Sequence, residues 1–148
     1  MTDKTVFSGD DKMADNYYTP CVELEICREL IEKYFQTKQY EKCFEGHLEL
    51  ARKGYPLAEC QVGYFCLEGL GTEKDVREAF YWTERAANHG DRDGQYNLAW
   101  FYQEGIGVEI NMEKARYWYE KSALQGHDLS IEKCKELGID VIDKEAEP

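Results

Sequence analysis

Residues 98–126 read LAWFYQEGIGVEINMEKARYWYEKSALQG, and residues 62–90 read VGYFCLEGLGTEKDVREAFYWTERAANHG. Laid on each other at an offset of 36, they pair Phe65 with Phe101, Glu68 with Glu104, Gly69 with Gly105, Gly71 with Gly107, Ala79 with Ala115, Tyr81 with Tyr117, Trp82 with Trp118, Ala87 with Ala123 and Gly90 with Gly126. Two G-x-G turns, two Tyr-Trp runs and two closing glycines in one register mark an internal repeat. A period of that length is the signature of stacked supersecondary units.

The ungapped windows are 55–90 and 91–126. In each, a first segment (57–68, then 93–104) spaces apolar residues by three and four, as in Val62, Phe65 and Cys66 or Leu98, Phe101 and Tyr102, which is helical spacing. The paired glycines then stop the helix. A second segment (76–88, then 112–125) predicts a helix whose core stripe carries Ala79, Trp82, Ala86 and Ala87, or Ala115, Trp118, Ser122 and Ala123. Each window is thus read as an antiparallel αα-hairpin, and stacked hairpins make an all-α solenoid.

The flanks are weaker copies. Residues 21–54 offer a helix to about Phe35, a break at Gln36-Thr37-Lys38 and a second helix ending at Gly54, but no glycine turn. This is a degenerate hairpin. Residues 127–139 predict one further helix, stopped by Gly138, that caps the last apolar face. Residues 1–20 are polar and aperiodic and are read as a flexible tail; residues 140–148 form an acidic one.

These residues resemble the Sel1-like repeats, relatives of the tetratricopeptide repeats. The family pattern L-G-x-x-Y-x-x-G-x-G-V, a loop, K-A-x-x-W-Y-x-K-A-A and a final Gly is matched by Leu98, Tyr102, Gly105, Gly107, Val108, Lys114, Ala115, Trp118, Tyr119, Lys121, Ala123 and Gly126. The preceding unit matches at Val62, Gly63, Gly69, Gly71, Ala79, Trp82, Ala86, Ala87 and Gly90, with Cys66 where Tyr is usual. The resemblance implies a short right-handed α-solenoid whose first helices line a concave face. It also implies a protein–protein interaction module, an adaptor or scaffold, rather than an enzyme. Some secreted relatives staple neighbouring helices with cysteines at positions that here are Ala87 and Gln95, so that stapling, and the hydrolase activity proposed for that branch, do not carry over.

Composition narrows the partner. Thirty acidic side chains against 18 basic ones leave a net charge of −12, which disfavours nucleic acid, whose binding depends on Lys and Arg neutralising phosphates. An anionic membrane surface is disfavoured for the same reason. A basic protein or peptide suits this charge. The opening MTDKTVFSGDDKMADNYYTP has acidic residues where a signal peptide needs basic ones, so the expectation is a cytoplasmic protein. The six cysteines, at 21, 27, 43, 60, 66 and 134, form no C-x-x-C pair, and are read as buried thiols.

Sites of chemistry are hard to assemble from these residues. Gly69-Leu70-Gly71 and Gly105-Ile106-Gly107 lack the third glycine or the Gly-Lys-Ser/Thr of a nucleotide loop. His47, His89 and His127 have no partners at metal-ligand spacing, and no serine or cysteine stands in a nucleophile motif. The expectation is no cofactor, no metal and no catalytic residue.

On the concave face that the resemblance implies, the exposed positions are Cys60, Tyr64, Leu67 and Glu68, then Tyr96, Trp100, Gln103 and Glu104. Arg28 and Ile31 extend this surface N-terminally, and Glu132 and Glu136 C-terminally. Tyr64 and Trp100 are equivalent large aromatics, the type enriched at binding hot spots, and Glu68 and Glu104 give an acidic rim for a basic peptide. A dedicated acidic inhibitor of one basic protein, such as an immunity protein, is the alternative; hydrolysis of a small amide is a second. Either a monomer or a weak homo-oligomer meeting through an open solenoid end is expected.

Overall fold

The computed structural model describes residues 22–141, all of whose regular structure is helical. The expected tails lie almost wholly outside these residues, as does Cys21. Helix α1 (Val22–Leu30) runs on into a π-helical turn (Ile31–Phe35) and is followed by α2 (Tyr40–Arg52), α3 (Pro56–Glu68), α4 (Val76–Asn88), α5 (Arg92–Glu104), α6 (Met112–Leu124) and α7 (Asp128–Leu137). Each packs on its neighbours in chain order, while α3 also touches α1 on one side and α5 on the other. The odd-numbered helices therefore form an inner row and α2, α4 and α6 stand behind it.

Local chemistry sets the helix ends. Asp75 and Asn111, one repeat apart, cap α4 and α6 by accepting from the backbone N–H of Glu78 (3.1 Å) and Lys114 (3.0 Å). Asp91 and His127, again one repeat apart, cap α5 and α7 through Gly94 N (2.6 Å) and Ser130 N (3.3 Å). Pro56 opens α3 at a position where no amide is missed. At the other end Gly69 and Gly105 take up left-handed conformations, φ +70° and +73°. The Leu70 and Ile106 amides then reach back to the Phe65 and Phe101 carbonyls (3.0 Å each), closing the helix as a glycine can without strain.

The second glycine of each turn has a different task. A Cβ at Gly71 would run into the Tyr40 carbonyl, and one at Gly107 into the Val76 carbonyl. Tyr40 and Val76 are the first residues of the outer helices one unit earlier. The G-x-G turn is therefore a helix stop followed by a point where successive units stack backbone to backbone.

The core stripe of the outer helices differs from the expected one by a residue. Thr83 and Tyr119 are buried, with Ala79, Ala86 and Ala87 or Ala115, Ser122 and Ala123, whereas Trp82 and Trp118 are only half-buried. From Ala79 a step of four stays on the inward face and a step of three drifts to its edge, given 3.6 residues per turn. The two tryptophans instead pack edge-on against Tyr81 and Tyr117, at 5.2 and 5.1 Å between ring centres.

Polar groups in the interior are tied between units. The Glu59 carboxylate is fully buried and accepts from Arg85 Nε (3.0 Å) and His89 Nδ1 (2.6 Å). One repeat later Glu59 and His89 give way to Gln95 and Gln125, with Gln125 Nε2 donating to Gln95 Oε1 (2.9 Å), while Arg85 is matched by Lys121. Burial pushes the Cys43 and Cys66 thiols up to about 11, and all five described cysteines are buried.

His47 is fully buried against Phe65, its Nδ1–H directed at the Cys43 carbonyl (2.8 Å). Burial disfavours the cation and lowers its pKa to about 4. The unfolded chain takes up this proton near pH 6.5 and the folded chain does not, so the stabilisation is complete above about 6.5 and is lost as pH falls toward 4. The expected loss over that window is on the order of 3 kcal/mol. Urea titrations of wild type and His47→Phe at both pH values check it: the wild type should show the steeper loss.

Candidate protein-binding surface

Helices α3 and α5 lie side by side in the inner row and leave a cleft of about 120 Å³ between them. Tyr64 and Leu67 form one wall; Tyr96, Asn97 and Trp100 form the other; Gly63, Thr83 and Phe101 complete the lining. Four expected surface residues, Tyr64, Leu67, Tyr96 and Trp100, are thus brought together around one opening. Each is half-buried.

The aromatic walls are braced from behind. Tyr64 leans on Phe65 (5.9 Å) and Trp100 on Phe101 (5.7 Å), both phenylalanines being fully buried. Tyr96 stacks on His127 (4.9 Å) and touches the Tyr119 ring (5.7 Å), and burial raises its pKa. Rings held in this way lose little freedom when a partner covers them, which lowers the cost of binding.

Other expected residues sit apart. Glu68 and Glu104 are exposed one helical turn beyond Tyr64 and Trp100, so they rim the cleft on the same helix faces. Gln103 accepts from Tyr119 Oη (3.0 Å) and donates to Glu104 (3.0 Å). Arg28 and Ile31 belong to α1 and its π-turn, and neither lines the cleft. Glu132 and Glu136 on α7 face Lys135 and Lys133. Cys60 is a correction: expected on the exposed face, it is 2% exposed because α5 crosses it, Asn97 Nδ2 lying 3.7 Å from its sulfur.

Gly63, Thr83, Asn97 and Phe101 were missed as lining residues. Inward-facing positions look like core in a sequence, and only the gap between two units shows that some are reachable.

One interior cluster has the residue types of a hydrolase. His127 Nε2 donates to Asp93 (2.9 Å), and its Nδ1 lies 3.2 Å from Ser130 Oγ. Nδ1 also accepts from the Ser130 amide, which places the ring proton on Nε2. The Ser130 hydroxyl is fully buried and bonded to Ser122 Oγ (2.7 Å), which in turn donates to the Arg92 carbonyl (2.8 Å). The cluster caps α7 and ties it to α5 and α6; it presents no exposed nucleophile. Among the described residues no group of three His, Cys, Asp or Glu is placed to hold a metal ion, and no helix is long and apolar enough to cross a membrane.

Helical hairpins stacked in register, with a cleft on the inner row, define an α-solenoid repeat protein. The repeats are Sel1 repeats: the model of that family matches residues 56–91 and 92–127, and the chain is a Sel1-like repeat protein. It is 32% identical to a Sel1 repeat protein from Oxalobacter formigenes, with a TM-score of 0.70 over 81% of this chain and 49% of that one. To c5321, a protective antigen of uropathogenic Escherichia coli strains displaying an SLR fold, it is 28% identical, with a TM-score of 0.68 over 79% of this chain and 26% of that one. Cysteine rich protein B of Helicobacter pylori shares the fold, at 20% identity and a TM-score of 0.59, over 75% of this chain and 96% of that one. A 48-residue stretch is 49% identical to the chitin synthase regulator SKT5 of Malassezia restricta, covering 32% of this chain and 3% of that protein. The chain therefore spans about half or less of the first two structures and a small fraction of the fungal regulator. Sel1 repeats generally mediate protein–protein interactions and are typically non-enzymatic.

Proposed function

We propose that this protein is an adaptor or scaffold that grips a basic protein segment along its inner helix row, with the cleft between α3 and α5 as the main contact. The observation that carries this reading is the convergence of Tyr64, Leu67, Tyr96 and Trp100 on one opening beneath two exposed carboxylates, Glu68 and Glu104. Aromatic side chains bury large areas at small entropic cost. Rim charges steer an oppositely charged partner and suppress acidic ones, and the net charge of −12 acts in the same direction at longer range.

Glu68→Lys/Glu104→Lys tests it. Both sites are exposed, so folding should change little, while capture of partners from the native host should fall sharply and lose its salt sensitivity. Capture that is unaffected by the double reversal and indifferent to salt would rule out a basic partner on this face.

A further inference from the structure

The 36-residue register puts equivalent residue pairs at the floors of three successive inner grooves: Cys27 with His47, Gly63 with Thr83, and Ala99 with Tyr119. The first and third floors are filled. Cys27, His47, Ala99 and Tyr119 are fully buried, the His47 ring lies on Phe65 (5.6 Å), and Tyr119 reaches across to Gln103 (3.0 Å), the equivalent of Leu67. The middle floor has the smallest pair. A Cβ on Gly63 would come within 2.5 Å of Thr83 Oγ1, so the helices there are as close as glycine allows, and the short threonine leaves the space above open.

Resting on the reading that the inner row binds protein, we infer that this cleft is a socket for one aliphatic side chain, leucine or methionine, offered by a lysine- or arginine-bearing segment. The volume of about 120 Å³ is smaller than an apolar cavity of ~150 Å³ that takes up benzene. An aliphatic side chain fits; an indole does not. The walls are largely aromatic and aliphatic, Thr83 and Asn97 are the polar residues beside the two tyrosines, and no charged residue lines the opening. Charge begins one turn further on, at Glu68 and Glu104, which sets the basic residues beside the anchor rather than in it. With the neighbouring floors filled, the partner inserts a single anchor rather than a repeated one.

The test uses full-length isotope-labelled protein and short lysine-flanked peptides identical but for one central residue: alanine, valine, leucine, methionine, phenylalanine or tryptophan. The leucine and methionine peptides should shift the amide signals of Gly63, Thr83 and Asn97 and bind about ten- to a hundredfold more tightly than the alanine peptide, as burying one such side chain implies. The tryptophan peptide should fall back toward alanine. Thr83→Ala deepens the floor and should move the preference toward phenylalanine. A wild-type preference for aromatic anchors, no dependence on the central residue, or no response at the cleft overturns the socket. Only if capture of a host partner also survives Trp100→Ala does the underlying reading of the inner row fall with it.

Discussion

Gly107→Ala is expected to destabilise the protein by about 2–5 kcal/mol, a large share of the total stability of a chain this size. Two costs add. The residue sits at φ +70°, where a Cβ costs about 1–2 kcal/mol. That Cβ also meets the Val76 carbonyl, with Phe80 Cβ at 3.1 Å, and forcing packed backbone apart adds about 1–3 kcal/mol. Gly126→Ala is the control. Its φ is +82° but nothing lies within 4 Å of the new methyl, so only the first cost applies. Urea denaturation of the two variants separates conformational strain from unit stacking, and equal losses would show that the close approach between units contributes nothing.

The second large effect concerns binding. Trp100→Ala should weaken partner binding by about 2 kcal/mol or more, roughly thirtyfold, the level that defines a hot spot. Trp100 supplies one wall of the cleft and rests on Phe101, so its loss opens the socket and removes its largest apolar surface. Some stability is also lost, because the ring packs against the core that includes Val62, Cys66 and Phe101. Tyr64→Ala on the facing wall therefore serves as the independent second variant. Isothermal titration against the captured partner, with circular dichroism to confirm helicity, gives the readout. Unchanged affinity in both folded variants would remove the cleft from the binding surface.

Much of the architecture was legible in the residues. Gly69, Gly105 and Gly138 mark helix ends because a left-handed residue is a local requirement, and the boundaries of α4 (Val76–Asn88) and α7 (Asp128–Leu137) follow from such signals. The caps Asp75 and Asn111 are local as well, but became legible only once the structure set them against the Glu78 and Lys114 amides. The faces of the helices were less so. Tyr64 and Trp100 were recognised as surface aromatics, but Cys60, one turn before Tyr64, looks the same in the sequence and is covered.

By itself, then, the sequence determined the repeat, its period and the hairpin within each unit, because helix spacing and glycine conformation depend on neighbours a few residues away. Tertiary structure decided which residues fill the space between units: that Thr83 and Tyr119 rather than Trp82 and Trp118 turn inward, and that α5 covers Cys60. It also decided that the cleft stays open over Gly63 and Thr83. These outcomes depend on the rotation of helices about their axes and on side-chain volumes meeting across units some 36 residues apart, where a change of one small residue for a ring is enough to fill a groove or leave it open.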